Sequence, residues 1–201
     1  MRIAAVVIGR NEGPRLADAL DSVVRQVGKV VYVDSGSTDD SRAIATDAGA
    51  RIVDLDPEIP FTAARARNEG ARDLFEAGDF DLLLFMDGDC ILADGWVETA
   101  RSFLSDHPDC GVVCGRRRER FPALSIYNRL CDAEWDTPVG EARACGGDAV
   151  FRTAAFNEAG GFNPRLIAGE EPELCFRMRA KGWIVWRLDA EMTQHDAAMT
   201  R

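Results

Sequence analysis

The chain has 201 residues, of which 46% are hydrophobic and 29% are charged, and its formal net charge is −10. This length and hydrophobic fraction predict one globular domain with a substantial core. The acidic balance argues against a protein that binds nucleic acid or an anionic membrane through general charge attraction.

Strand and helix patterns alternate along the first 115 residues. Predicted strands lie at 3–8, 30–33, 51–55, 82–86 and 111–114, and predicted helices lie at 13–27, 37–48, 62–77 and 95–105. The strands are short apolar runs, as expected when both faces of a sheet are covered. We therefore predict an α/β fold with a doubly wound, mostly parallel sheet and helices on both faces.

The alternation becomes irregular after residue 115. Residues 116–147 mix charged, aromatic and proline residues, and we interpret them as an excursion that contributes to an active site. A strand at 149–151, a helix ending at 159, a helix at 172–181 and a strand at 183–188 complete the predicted elements. Because no repeat or linker interrupts the chain, we expect a single domain over residues 1–201.

Three polar segments follow predicted strands, at 9–12, 34–36 and 87–89. In open α/β sheets, ligands bind outside the carboxyl ends of the strands. The predicted topology therefore brings these three segments to one edge of the sheet.

Asp87 and Asp89 flank Gly88 in the third of these segments. In an extended chain, residues i and i+2 point the same way. The two carboxylates then form a hard-oxygen site suited to Mg²⁺ or Mn²⁺, and such a cation would neutralise a diphosphate leaving group. The alternative is an Asp-rich turn that holds no ligand.

Asp34 ends a buried strand, where a carboxylate needs a partner. A nucleotide base, a ribose hydroxyl or the turn that follows would provide one. Ser37 begins a Ser-Thr-Asp-Asp segment that is typical of a helix capping box. Arg67 and Asn68 lie near the start of the helix at 62–77, where they face either a ligand or solvent.

Three glutamates, Glu170, Glu171 and Glu173, surround Pro172. Since proline favours the first turn of a helix, this pattern predicts Glu171 at the N-cap. Capping prefers Asp, Asn, Ser or Thr, which favours a functional role for this glutamate. The helix dipole keeps the carboxylate ionised, and an ionised carboxylate at a cleft can act as a general base.

Other residues permit two interpretations. A lone histidine such as His195 is more typical of a structural or exposed position than of a ligand site. Trp135 either stacks on a sugar face or packs in the core. Arg116, Arg117 and Arg118 either bind a phosphorylated acceptor or lipid headgroup or lie at a solvated strand end. We favour the solvated strand end.

Several segments, taken together and in order, resemble glycosyltransferase family 2, which has the GT-A fold. The segments are VVIGRNEG, VDSGSTDDS, ARARNEGA, LLLFMDGDC, GGDAVFR and AGGFNPRLIAGEEPELCFRMRAKGW. They extend over nearly the whole chain, and the ordered set is far more specific than any one segment.

The resemblance implies an inverting, metal-dependent glycosyltransferase of the hexosyltransferase type. It would transfer a sugar from a UDP- or GDP-sugar to a hydroxyl of an acceptor sugar or lipid-linked glycan, in the synthesis of a cell-surface glycan or glycolipid. Residues 1–115 would bind the nucleotide sugar and Mn²⁺ or Mg²⁺. Residues 116–201 would bind the acceptor and supply the catalytic base.

The resemblance also implies roles for single residues. The metal would be held by Asp89, Asp87 and His195. The residues that would contact the nucleotide sugar are Gly9, Asn11, Glu12, Asp34, Arg67, Asn68, Asp87 and Gly88. The loop that would face the donor sugar and the acceptor consists of Gly146, Gly147 and Asp148, together with Glu170. Glu171 would be the base, but the family usually has Asp there, so Glu170 and Glu173 remain alternatives.

The chain stops soon after His195 without a Q-x-x-R-W element. This argues against a processive polysaccharide synthase and leads us to expect a chain truncated at its C-terminus. Because no export signal and no apolar stretch of roughly 18 residues is evident, we expect a cytoplasmic protein with reduced thiols and no transmembrane segment. Peripheral contact with the inner face of the membrane is compatible with this.

Two rival functions belong to other classes. A sugar-phosphate nucleotidyltransferase would have a G-x-G-T-R-type loop after the first strand, where this chain has GRNEG. A non-catalytic module that binds nucleotide sugars would need neither the metal carboxylates nor the base. The chain retains carboxylates at both positions, which favours an enzyme.

Overall fold

Within residues 1–196, which the computed structural model describes, nine strands form one sheet and seven helices connect them. The strands are β1 (Ile3–Gly9), β2 (Val30–Asp34), β3 (Arg51–Asp54), β4 (Leu82–Asp87), β5 (Cys90–Leu92), β6 (Cys110–Glu119), β7 (Gly140–Glu141), β8 (Ala149–Arg152) and β9 (Ile184–His195). The helices are α1 (Pro14–Val24), α2 (Ser41–Asp47), α3 (Ala63–Ala77), α4 (Trp96–Asp106), α5 (Ile126–Glu134), α6 (Thr153–Ala159) and α7 (Glu170–Ala180).

The strand order is β3-β2-β1-β4-β8-β6-β9-β5, and β7 pairs with β9. Strands β1, β2, β3 and β4 are parallel, and β6 and β9 run in the same direction as these four. Strands β5, β7 and β8 run the opposite way. The prediction of a doubly wound, mostly parallel α/β sheet is therefore confirmed.

Close packing of α3 fixes the geometry of the sheet edge that matters here. Strands β1 and β4 lie in the middle of the sheet, and nearly all of their residues are buried. Gly70 of α3 faces β1 and β2 so closely that an added Cβ would overlap a methyl group of Val6 and approach one of Val33 at 2.9 Å. Because α3 follows β3, this contact holds the first turns of α3 at the carboxyl edge of the sheet.

Two strands are longer than the sequence predicts, and two short strands, β5 and β7, have no predicted counterpart. Strand β6 continues beyond its predicted end at 114 to Glu119, and β9 continues beyond its predicted end at 188 to His195. The two strands pair with each other along this extension, and β5 adds to the far side of β9. The second half of β6 was not predicted as a strand because it is a run of charged residues. Its arginines are accommodated by ion pairs with other parts of the chain.

Two predicted helix starts are wrong. Helix α2 begins at Ser41 without a side-chain cap, and the backbone N–H of Ser37 donates to Asp34 instead of opening a capping box. Helix α7 begins at Glu170, because Gly169 adopts the left-handed conformation (φ 78°) and serves as its N-cap. Glu171 is therefore inside the first turn. None of the helices within residues 1–196 has the length and apolar content that a membrane span requires.

Candidate functional site

The loops after β1 and β2 are joined by hydrogen bonds at the carboxyl edge of the sheet. The Oδ1 atom of Asn11 accepts from the backbone N–H of Thr38 at 2.8 Å, and the N–H of Asn11 donates to Oγ of Ser37 at 2.9 Å. Asn11 has φ 57°, a left-handed conformation that Asn tolerates better than most residues. Its amide oxygen serves the loop itself, and its contact with a nucleotide stays a prediction.

A first cleft of about 280 Å³ opens between these loops, the segment after β4 and the start of α3. Gly9, Glu12, Asp87, Gly88 and Asp89 contribute to its wall. The three polar segments thus lie together at one edge, as the topology predicts. A Cβ at Gly9 would approach Glu12 at 2.9 Å, and one at Gly88 would approach a carbonyl oxygen at 3.1 Å, so both positions are crowded. Burial, together with the charge of Asp89, raises the pKa of Glu12.

The carboxylate of Asp34 is satisfied within the chain. It is buried and accepts hydrogen bonds from the hydroxyl of Tyr32 at 3.2 Å and from the backbone N–H groups of Gly36 and Ser37 at 3.0 and 2.8 Å. These contacts favour the turn-capping alternative for Asp34. Its contact with a base or ribose stays a prediction.

Arg67 connects the two halves of the chain. Its guanidinium lies 2.7 Å from the carboxylate of Asp87 and 2.6 Å from that of Glu170, and it packs 5.5 Å above the ring of Phe162. Burial alone would lower the pKa of Arg67, but the two carboxylates outweigh burial and raise it. The side chain thus holds α7 against the end of β4.

Asn68, the next residue, has a different partner. Its Nδ2 atom donates to the carbonyl of Phe162 at 2.7 Å, and its Oδ1 atom accepts from the N–H of Phe162 at 3.0 Å. Both ends of the amide therefore fix the turn after α6. The predicted role of Asn68 at the nucleotide stays untested, and these bonds account for the residue without a ligand.

Asp148 is the buried centre of the site. One carboxylate oxygen accepts from the backbone N–H of Asp87 at 3.0 Å, and the other accepts from Thr193 at 2.8 Å and lies 2.6 Å from Arg117. Burial by itself raises the pKa of Asp148, but Arg117 and the hydrogen bonds outweigh it and keep the pKa below its ordinary value. The carboxylate is fully buried, so its observed role is to position Asp87 and Arg117.

Arg117 has a larger part in the site than the sequence indicates. It does not lie at a solvated strand end, because its guanidinium contacts Asp148, lies 3.5 Å from Asp87 and covers the ring of Trp135 at 5.5 Å. A buried aspartate such as Asp148 requires a cation, but the sequence does not reveal which arginine supplies it. The structure identifies this cation as Arg117, because β6 continues past Gly115 and places Arg117 beside Asp148.

His195 meets Asp89 where β9 and β5 pair. Its Nε2 atom lies 3.1 Å from Oδ2 of Asp89, and its ring makes a T-shaped contact with Trp135, with centroids 5.0 Å apart. Burial lowers the pKa of His195, but the carboxylate outweighs it and raises the pKa above its ordinary value. Burial raises the pKa of Asp89, but the contact with His195 outweighs burial and lowers this pKa below its ordinary value.

These residues fit a divalent cation. Ligand atoms of Asp89, Cys90 and His195 all lie within 4.8 Å of one another, and the buried Nδ1 atom of His195 has no hydrogen-bond partner among residues 1–196. The carboxylate suits Mn²⁺ or Mg²⁺, and the imidazole, a ligand typical of transition metals, favours Mn²⁺ of the two, whereas the thiol of Cys90 is too soft for either. The carboxylate of Asp87 already faces two arginines, which makes Asp89 the more available ligand.

A second cleft of about 300 Å³ lies on the other side of this network, lined in part by Arg117, Trp135, Cys145, Gly146 and Glu171. The loop before β8 separates the two clefts. A Cβ at Gly147 in this loop would come within 2.9 Å of Oδ2 of Asp87, so glycine permits the close approach.

Among the three glutamates of α7, Glu171 lines the second cleft. Its Oε1 atom accepts from the backbone N–H of Cys145 at 2.5 Å and from the thiol of Cys175 at 3.0 Å. Glu170 pairs with Arg67. Glu173 pairs with Arg177 at 2.7 Å, and this contact lowers the pKa of Glu173. Cys145 and Cys175 therefore orient Glu171, a role that no pattern in the sequence indicates for these cysteines.

Comparisons with known proteins agree with this architecture. The sequence model of the family described as "Glycosyl transferase family 2" matches residues 4–156. An O-antigen chain rhamnosyltransferase, RfbN of Salmonella typhimurium, is 24% identical over 203 residues, which cover 92% of this chain and 63% of RfbN.

Two solved structures share the fold. TarS 1–349 of S. aureus, in complex with UDP-GlcNAc, has a TM-score of 0.78 at 15% identity, over 100% of this chain and 60% of that one. The mannosyltransferase PcManGT of Pyrobaculum calidifontis, in complex with GDP-Man and Mn²⁺, has a TM-score of 0.71 at 20% identity, over 95% of this chain and 56% of that one. The predicted GT-A fold is thereby confirmed. The chain spans less than two thirds of the length of each of these relatives.

Proposed function

The chain belongs to glycosyltransferase family 2, and from this premise we propose that it transfers a sugar from a nucleoside-diphosphate sugar to an acceptor hydroxyl with inversion at the anomeric carbon. The observation that carries the proposal is the arrangement of two clefts around one polar network. Asp87 and Asp89 line the first cleft, Glu171 lines the second, and Arg117 and Asp148 lie between them.

The first cleft is suited to the nucleotide. It has a volume of about 280 Å³, and Asp89 with His195 offers ligands for a divalent cation beside it. Bound there, Mn²⁺ or Mg²⁺ would act as a Lewis acid on the diphosphate. The complexes of TarS with UDP-GlcNAc and of PcManGT with GDP-Man and Mn²⁺ support a UDP- or GDP-sugar as the donor. A donor held this way would extend its sugar towards the second cleft.

Glu171 is the residue we assign as the base. An acceptor hydroxyl is a weak nucleophile until it loses its proton, and a positioned carboxylate can accept that proton. Cys145 and Cys175 both donate to Oε1, so Oε2 is the oxygen left for the acceptor. Glu170 and Glu173 are occupied by Arg67 and Arg177, which makes them weaker candidates. Attack from the side opposite the leaving diphosphate inverts the anomeric centre.

An apolar surface supports a lipid-linked glycan as the acceptor. The large apolar side chains that are exposed on and just before α5 are Phe121, Leu124, Ile126, Tyr127 and Leu130. Helix α5 ends at Glu134, and Glu134 and the next residue, Trp135, line the second cleft. We propose that this face makes peripheral contact with the inner face of the membrane and brings an acceptor sugar or lipid-linked glycan to Glu171. The pathway would be the cytoplasmic synthesis of a cell-surface glycan or glycolipid.

A thermal-shift panel of UDP- and GDP-sugars, with Mn²⁺ or with a chelator, tests the proposal. Ligand at a hundred times its Kd adds about 2.7 kcal/mol of stability, which corresponds to a rise in Tm of roughly 5–11 °C for a chain of this size. A donor that binds must then be hydrolysed or transferred. Binding without turnover would support the non-catalytic module, and release of pyrophosphate from a nucleoside triphosphate and a sugar phosphate would support the nucleotidyltransferase.

A further inference from the structure

Two buried thiols lie beside the carboxylate of Glu171. The Sγ atoms of Cys145 and Cys175 are 3.6 Å apart, and the thiol of Cys175 is 3.0 Å from Oε1 of Glu171. One ligand atom from each of the three residues lies within 4.8 Å of the ligand atoms of the other two. Proton transfer by Glu171 requires a carboxylate and its hydrogen-bond donors, but it does not require two adjacent thiols.

The spacing of the thiols matches the ligand shell of a soft cation. Zinc–sulfur bonds of about 2.3 Å at tetrahedral angles place two sulfur ligands about 3.8 Å apart. The observed separation of 3.6 Å is close to this value, so little movement is needed. We propose that Cys145, Cys175 and Glu171 form a binding site for a thiophilic divalent cation such as Zn²⁺, and that its occupation inhibits sugar transfer.

The donor sets distinguish this site from the one at Asp89 and His195. Two thiolates with one carboxylate select a borderline or soft cation over Mn²⁺ or Mg²⁺, which prefer oxygen ligands. Zinc sites that have three protein ligands keep a fourth position for water. Cys145 and Glu171 both line the second cleft, which provides the path for the ion and the room for that water.

Binding of the cation releases protons and involves no oxidation or reduction. Before the ion arrives both thiols act as hydrogen-bond donors, since Cys175 donates to Oε1 of Glu171 and Cys145 donates to the carbonyl oxygen of Gly146. The cation displaces the S–H proton of each cysteine, two protons pass to solvent, and two metal–sulfur bonds form. Cys175 then no longer donates to Glu171, and the carboxylate becomes a metal ligand that cannot accept a proton. This inhibition rests on the proposed function, whereas binding of the ion does not.

Cobalt is a suitable probe, because thiolate ligands give Co²⁺ a charge-transfer absorption that oxygen and imidazole ligands do not. The wild-type chain, kept reduced with a phosphine, is titrated with Co²⁺ and then with Zn²⁺. We expect one equivalent of thiolate-bound Co²⁺ that Zn²⁺ displaces. Cys145→Ser and Cys175→Ser should each lower the absorption by about half or more, because one of two thiolate ligands is lost, and should weaken Zn²⁺ binding by about tenfold or more. Cys131→Ser, which changes a thiol outside the cluster, should leave both unchanged.

Cys90 provides the decisive comparison, because it lies next to Asp89 and His195. Cys90→Ser should retain the absorption. If Cys90→Ser loses it and Cys175→Ser keeps it, the ion binds at Asp89 and His195 and the proposal is overturned. X-ray absorption of the Zn²⁺-loaded wild type does not depend on any variant folding correctly. It should show two sulfur ligands, and a shell of oxygen and nitrogen alone would overturn the site.

Activity separates the two proposals. With Mn²⁺ in excess, stoichiometric Zn²⁺ should abolish transfer by the wild type, and a zinc-selective chelator that leaves Mn²⁺ in place should restore it. Transfer that continues when the thiolate absorption shows the site to be full would overturn the inhibitory role. If the zinc-free chain, supplied with Mn²⁺, shows no transfer with any donor, the proposed function fails while the cation site stands.

Discussion

Nε2 of His195 lies 3.1 Å from Oδ2 of Asp89, although 106 residues separate the two in sequence. The register of β5 with β9 places Cys90 opposite His195, and this pairing brings the imidazole to the carboxylate. A resemblance between sequences could suggest His195 as a ligand. The contact depends on the last residues of β9, which sequence patterns did not assign to a strand.

The first prediction follows from this pair. Asp89→Ala and His195→Ala should each weaken the Mn²⁺-dependent stabilisation by a nucleoside diphosphate, because each removes a group that would hold the cation. We expect the Mn²⁺ concentration at half-maximal shift to rise by about tenfold or more. Asp94→Ala is the matched control, since the side chain of Asp94 is 91% exposed. An unchanged metal titration for His195→Ala would return this residue to a structural role.

The second prediction concerns Asp148. Asp148→Ala leaves Arg117 without its closest carboxylate and removes the acceptor for the N–H of Asp87. Breaking one partner of a buried ion pair costs about 3–5 kcal/mol of unfolding free energy. Urea denaturation should show this loss. Glu191→Ala breaks the exposed pair with Arg118 and should cost less than about 1 kcal/mol. Equal losses for both variants would contradict the central role of Asp148.

The third prediction tests the packing that holds α3 at the site. Gly70→Ala places a methyl group against Val6 and Val33, and overpacking of this kind costs about 1–3 kcal/mol. Gly28→Ala is the control, because no atom lies within 4 Å of the added Cβ. Thermal denaturation of the two variants compares them directly. If Gly70→Ala were as stable as Gly28→Ala, the close contact between α3 and the sheet would be disproved.

The fourth prediction gives the pH dependence of the contact between Glu173 and Arg177. Arg177 holds the pKa of Glu173 below its ordinary value of 4.5 in the folded chain. A carboxyl group whose pKa is lowered by folding stabilises the fold above its unfolded pKa and loses that effect as the pH falls. Glu173→Gln should therefore cost about 0.3–0.5 kcal/mol at pH 7. The difference from wild type should shrink below pH 4.5, and a difference independent of pH would refute this assignment.

The sequence predicted the scaffold better than the site. Apolar runs such as 82–86 identify strands, because the position of a buried strand depends mainly on local composition. The edge at which the polar segments meet then follows from the topology of the sheet. The orientation of each side chain depends on partners far away in sequence. The sequence does not show which group pairs with Asp34 or with Asn68, and the resemblance implies that the partner is the nucleotide. The structure supplies that partner from the chain itself.

Arg117 illustrates the opposite case. On spacing alone, three successive arginines suggest a solvated strand end. Pairing of β6 with β9 buries Arg117 beside Asp148 and Trp135. A single sequence does not specify such a long-range pairing, so the residue between the two clefts could not be recognised.

The fifth prediction concerns the base itself. Glu171→Gln keeps the shape of the side chain, and its amide oxygen can still accept from the N–H of Cys145. The amide cannot take a proton from an acceptor hydroxyl, so kcat should fall by roughly 10²–10⁴. The affinity for the donor should stay nearly unchanged, because the change affects a step after binding.

Glu173→Gln is the matched control for this substitution, since it makes the same chemical change two residues away. Glu173 points to Arg177 and not to the second cleft, so this variant should turn over at close to the wild-type rate. If Glu171→Gln keeps normal turnover while Glu170→Gln loses it, the base is Glu170. The stereochemistry gives an independent test, because a single displacement assisted by a base inverts the anomeric carbon. NMR of the first-formed product should show a β-linkage from an α-linked donor, and a retained configuration would exclude Glu171 as the base of a single displacement.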